Sequence, residues 1–261
     1  MQAMTTTLPV PHVDPALEIT ALARRYRRAG GPVIALANRL GAQLDEALAH
    51  LPAGVRATVE QATATSLGHA FRLAQSGRHA PSTGPRGAQA LAALTGAVGG
   101  AGGLAGALAE VPVTITVFLH AISQAARDEG FDPDAPAVRA ECLRVLQAGS
   151  PMPQDDALDT GFIGARIALN GQAMQKLIAT VAPALSTILA RKLAAQAVPV
   201  LGAVTGAALN AAYLSYFREL AAIRFALMRL TLLHGPDRVA QDFAAAVRLP
   251  VSEAQRVPPQ V

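Results

Sequence analysis

The stretch LTGAVGGAGGLAGALAEVPVTITVFL, residues 94–119, decides how the rest of the chain is read. Glycine disfavours an isolated helix by up to about 1 kcal/mol per residue relative to alanine, so a helix here needs a compensating gain. The spacing offers one. Gly96/Gly100, Gly99/Gly103 and Gly102/Gly106 are overlapping small-xxx-small pairs, which strip side chains from one flank and let a second backbone approach closely. A disordered Gly/Ala linker is the alternative. Leu91, Leu94, Val98, Leu104 and Leu108 keep a partial helical spacing and favour the helix. Glu110 and Pro112 then mark a boundary before a second helix from Pro112 to about Glu129.

Composition agrees with close helix packing. Apolar residues make up 51% of the 261 residues but aromatics only 4%, and tryptophan is absent. A core of Ala, Leu and Val suits helices better than sheets. No stretch reads as a strand and no solenoid repeat is present. The expected class is all-α, a compact bundle built on Gly/Ala-rich hairpins with an N-terminal helical hairpin. The pI of 9.8 reflects arginine, since Lys176 and Lys192 are the two lysines among twenty-two basic residues. A net charge of +4 gives no ground for nucleic-acid binding and suits contact with an anionic membrane face. The N-terminus lacks a basic start followed by an apolar segment, and Cys142 stands alone, so a cytoplasmic setting is expected, including the inner membrane face.

Along the chain, residues 1–13 read as a tail, 14–76 as the helical hairpin region, 77–87 as a loop, 88–247 as the helical core and 248–261 as a second tail. Asp14-Pro15 is an N-cap followed by proline at the first helical position. Ile19, Leu22, Ala23 and Tyr26 line one face of that helix, and Gly30-Gly31 ends it. Arg24, Arg25, Arg27 and Arg28 occupy the other face, either touching phosphates or simply complementing the helix C-terminal dipole. Residues 32–51 and 55–75 carry two further helical patterns, expected to pair antiparallel. Gly130 to Asp134 reads as a turn with Asp134 capping the helix of Val138, Cys142, Val145 and Leu146. Helix from about Thr160 to Ala197 is expected to break at Pro183. A last strong helix should span Tyr213 to His234, followed by a short one from Asp237 to Val247.

Two uncharged runs, 87–109 and 193–217, are long enough to cross a bilayer at 1.5 Å per residue. Gly and Ala supply little transfer energy, so buried hairpins are favoured over insertion of residues 87–126 and 193–217. Ala-rich faces of this kind also allow a homo-oligomer. In the second run Gly202, Gly206 and Asn210 share one helix face.

The Gly/Ala run leading into Glu110-Val111-Pro112, then Gly130-Phe131-Asp132, then Pro199-Val200-Leu201-Gly202-Ala203 with Gly206 and Asn210, resembles in order and spacing the EcsC protein family. The resemblance covers roughly Val55 to Leu233. It places the family positions at Gly99, Gly100, Gly103, Gly106, Glu110, Pro112, Gly130, Asp132, Pro199, Gly202, Gly206 and Asn210. It implies an all-helical, bacterial protein without an established activity. Some relatives are associated with an ABC transporter of the Ecs type, and others carry hydrolase or peptidase labels.

Read for chemistry, the polar residues set among apolar helices are Glu110, His120, Asp132, Lys192 and Asn210. A buried Glu110 or Asp132 would serve a hydrolase as general acid or base. The favoured reading has Glu110 partly solvated, at the N-terminus of the helix beginning near Pro112. No metal is expected: the six histidines lack ligand spacing, and Asp155, Asp156 and Asp159 lack the calcium-loop pattern. No cofactor is expected either. Gly100 to Ala105 fits G-x-G-x-x-A formally, but no strand precedes it. There is no G-x-S-x-G around Ser123, Ser186 or Ser215, and Cys142 sits on an inner stripe as an inert thiol. Whether the protein is an enzyme stays open at this level. The leading reading is a non-enzymatic protein at the cytoplasmic membrane face, with a membrane surface or membrane-protein partner. The alternative is a hydrolase using Glu110 or Asp132.

Overall fold

A computed structural model describes residues 14–35, 53–75, 103–148, 171–197 and 202–248. These residues are helical or in turns, and no strand occurs among them, so the fold is all-α. The helices with defined bounds are α1 (Pro15–Ala29), α2 (Ala53–Gln75), α3 (Gly103–Asp128), α4 (Pro136–Gln147), α5 (Gly171–Ala197), α6 (Gly202–His234) and α7 (Pro236–Arg248). A further helical turn over residues 31–35 follows α1. Residues 36–51 of the second N-terminal pattern, the loop at 77–87, most of the Gly-rich run, and residues 1–13 and 249–261 of the two tails lie outside the described residues.

Local signals account for several of these boundaries. Asp14 caps α1, its Oδ1 accepting from the backbone N–H of Ala16 at 2.9 Å, with Pro15 next. Helix α3 closes where Phe131 N–H donates to the Ala126 carbonyl, with Gly130 at φ +83°. Gly235 adopts φ +88° between α6 and α7. Added side chains would meet open space at both glycines, so the requirement is conformational.

Four expectations need correction. Helix α3 does not restart at Pro112 but runs through it, and α5 runs through Pro183. Both prolines are exposed, so the carbonyls they free, those of Leu108 and Ala179, lie on the side that water reaches. Hydroxyls add local bonds: Thr116 donates to the Pro112 carbonyl, and Ser186 and Thr187 to that of Pro183. Likewise, the expected start at Tyr213 lies inside one continuous helix, α6, of 33 residues. Asp134 does not cap α4. Ala135 holds the N-cap position, and the Asp134 carboxylate accepts instead from Arg139 Nη2 at 3.2 Å.

Helices α3 and α6 lie side by side and parallel, nearly in register. Glu110 meets Asn210, the Phe118 and Phe217 rings lie 5.2 Å apart, and Glu129 meets Arg229. Helix α5 packs on both, and Lys192 near its C-terminal end reaches Glu110 near the start of α3. Helix α2 packs on α3 and α5, and α4 closes another side against α5, α3 and α6.

Among the described residues the buried apolar side chains form two clusters. The larger draws on α2, α3, α4, α5 and the first two thirds of α6, around Ile115, Phe118, Ile122, Leu185 and Phe217. The smaller joins Ile19, Leu22 and Ala23 of α1 to Ile223, Ala226, Leu227 and Leu230 of α6 and to Val239, Phe243 and Ala246 of α7. Helix α1 therefore packs on α7 and α6, while α2 belongs to the larger cluster.

Candidate functional site

Glu110, Thr114, Lys192 and Asn210 meet where α3, α5 and α6 come together. Glu110 and Thr114 are one turn apart on α3 and face the same way. Asn210 lies two turns into α6, on the face it shares with Gly202 and Gly206. All four are buried: Glu110 is 6% exposed, Thr114 2%, Lys192 4% and Asn210 1%. One carboxylate oxygen collects the donors. Glu110 Oε1 accepts from Lys192 Nζ, from Asn210 Nδ2 at 2.6 Å and from the Thr114 hydroxyl at 3.2 Å. Lys192 Nζ also reaches Thr114 Oγ1 at 3.3 Å. Burial pushes the Lys192 ammonium below its ordinary range, while Glu110 acts in the opposite sense.

The favoured sequence reading of Glu110, a partly solvated cap of a helix starting near Pro112, is overturned by this geometry. The residue lies inside a continuous helix and faces inward. Its chemistry is that of a polar tie: it fixes the relative position of three helices. Such a tie is specific because each donor would be left unsatisfied by a shift of register.

Asp132, the other acid proposed for catalysis, is exposed. Its Oδ1 accepts from the Asp134 N–H at 2.9 Å, a local turn bond with no part in the Glu110 cluster. Gly130, next but one to it, supplies the left-handed turn. His120 is half-buried, and burial, with the Arg127 charge adding, lowers its pKa. Cys142 is an enclosed thiol, its pKa pushed up to about 12 by burial above all, as expected of an inert core cysteine. Gly103 and Gly106 fall in the first turn of α3, and Pro112 on its exposed side. Gly99, Gly100, Pro199, Asp155, Asp156 and Asp159 lie outside the described residues. Among the described residues no group of three His, Cys, Asp or Glu side chains is placed to hold a metal.

The four arginines of α1 divide. Arg25 pairs with Glu219 of α6, Nε to Oε1 at 2.6 Å and Nη2 to Oε2 at 3.0 Å; that hydrogen bonding raises its pKa. Arg27 Nη1 donates to the Ala246 and Val247 carbonyls at the end of α7, at 3.0 and 3.1 Å. Arg24 and Arg28 enter no ion pair among the described residues.

A second buried carboxylate escapes the sequence reading. Glu141 of α4, 4% exposed, accepts from Arg224 Nε of α6 at 2.6 Å and from Arg144 Nη1 at 3.1 Å. A signal for it exists: Glu141 falls on the stripe of Val138, Cys142 and Val145. Arg224 stands between Leu220 and Leu227 at helical spacing.

The sequence model of the EcsC protein family matches residues 37–230. The match begins before Val55, so it takes in more of the N-terminal region than the resemblance read from the motifs. The whole Glu110 cluster and the Glu141–Arg224 pair fall within it, whereas α1 and α7 lie outside. No curated protein and no solved structure matches the chain.

Proposed function

The chain belongs to the EcsC protein family, and from that premise we propose that it is a non-enzymatic helical protein working at the cytoplasmic face of a bacterial membrane, beside a membrane-protein partner of the transporter kind. One observation carries the non-enzymatic part. The residue best suited to general acid–base work, Glu110, has one oxygen taken up by three side-chain donors from three helices and is closed off from solvent. A general acid or base must reach a substrate proton, directly or through one water. No observation favours a hydrolase.

The membrane setting draws support from α3 and α5. Leu108–Asp128 and Ala173–Ala194 are each long and apolar enough to cross a bilayer, and half of each such window is buried.

The test is flotation of the full chain with phosphatidylserine-containing and phosphatidylcholine vesicles, at low and high salt. Flotation with anionic vesicles supports the membrane reading, and its absence with both kinds overturns it. A panel of esters and peptides, run with Glu110→Gln alongside, checks the other half. Turnover that the substitution abolishes while the helical circular-dichroism signal persists would overturn the non-enzymatic reading.

A further inference from the structure

We propose that the C-terminal ends of α1 and α7 form one cationic surface that seats on anionic phospholipid headgroups, with Arg24, Arg28 and Arg248 as its contacting residues. The inference rests on the membrane reading above and assigns the surface that would do the binding. It concerns helices outside the family match, 37–230.

The two helix ends are brought together by Arg27, whose guanidinium bridges from α1 to the Ala246 and Val247 carbonyls of α7. Arg28 is its neighbour in α1, and Arg248 follows Val247. Both are exposed. Arg24, half-buried, lies one turn before Arg28 on the side of α1 away from the buried Ile19, Leu22 and Ala23. Its Nε is shielded from solvent and has no hydrogen-bond partner among the described residues. Arg218 stands one residue from Glu219, the acid that pairs with Arg25. It too enters no ion pair among the described residues.

Among the described residues, two acids beside these helices, Glu219 and Asp242, already face arginines. Glu219 is held by both Arg25 nitrogens. Asp242, one turn back along α7, faces Arg238 at 3.7 Å. A helix C-terminus ordinarily repels an anion. Here Arg27 satisfies two of the carbonyls that would do so.

Five of the basic side chains are therefore split by task. Arg25 and Arg27 fasten α1 to α6 and α7. Arg24, Arg28 and Arg248 enter no ion pair among the described residues and are left for an outside acceptor. A planar guanidinium matches a phosphate with paired donors, and juxtamembrane basic residues add roughly equal increments of attraction to an anionic leaflet.

The experiment compares the full-length wild type with two variants on the same vesicles: Arg24→Gln/Arg28→Gln/Arg248→Gln and Arg25→Gln/Arg27→Gln. The first should lose on the order of a hundredfold in partition onto phosphatidylserine vesicles at about 0.1 M salt, with melting temperature and helicity unchanged. The second should melt earlier yet, where folded, still float. Wild-type flotation that the first variant retains would overturn this surface while leaving the membrane reading standing. A wild type that does not float overturns both. Equal loss in the two variants overturns the division between fastening and contacting arginines. Binding to a short duplex DNA that the first variant loses, with no flotation, would assign the surface to nucleic acid and overturn the lipid proposal.

Discussion

The two apolar clusters of this molecule place their charges differently. In the larger, ion pairs lie inside: Glu110 with Lys192, and Glu141 with Arg224, all nearly inaccessible to water. In the smaller, built by α1, α7 and the end of α6, they lie at the rim, where Arg25 meets Glu219 and Arg229 meets Glu18 and Glu129. A buried pair contributes little net stability against a well-packed apolar replacement but heavily penalises the loss of one partner. A rim pair contributes modestly and is screened. The larger cluster is thus specified by internal polar ties, and the smaller by apolar fit with a charged border.

The sharpest break of that contrast is Lys192→Met, which strands Glu110 among apolar helices. The expected loss is about 3–5 kcal/mol in urea unfolding. Glu110→Gln/Lys192→Met, leaving no buried charge, should recover part of it. Phe243→Ala tests the smaller cluster, where the ring packs edge-on against Tyr26 at 5.8 Å between centroids. A loss of about 3 kcal/mol is expected. Amide exchange should rise first in α1 and α7 while α3 and α5 stay protected. Asn210→Leu removes one donor to Glu110 and should cost about 1–3 kcal/mol. If it cost less than Arg25→Gln at the rim, the ties would not be what specifies the larger cluster.

The smallest expected effect is that of pH through His120. Its folded pKa lies below the usual 6.5, chiefly through burial. Between the two values the unfolded chain binds more protons, so stability rises with pH across that window and falls on acidification. His120→Gln should flatten the dependence of melting temperature on pH below about pH 7, the effect being small because the ring is only half-buried.

The legible parts of this molecule are those with local causes. Asp14-Pro15, Gly130 and Gly235 mark boundaries through capping and backbone conformation. Glu110, Lys192 and Asn210 stand out because polar groups are rare in their apolar surroundings. Whether Glu110 faced inward was not legible, since Pro112 two residues on suggested a helix start. A proline is tolerated inside a helix when its freed carbonyl faces water, and which side faces water is settled by packing. Glu141 stayed hidden because Arg139 and Arg144 flank it and make α4 read as an ordinary half-exposed helix. The pairing of α1 with α7 joins residues more than 200 positions apart, and no local pattern reports it. The split among Arg24, Arg25, Arg27 and Arg28 follows from that pairing and was equally out of reach.

Helix α6, at 33 residues, is about 50 Å of unbroken rod. One end carries Asn210 against Glu110, and the other is gripped by α1 and α7. The same helix therefore belongs to both apolar clusters. The rod joins the two clusters, so a shift of about 1 Å along it would lengthen the 2.6 Å Asn210–Glu110 hydrogen bond past its useful range.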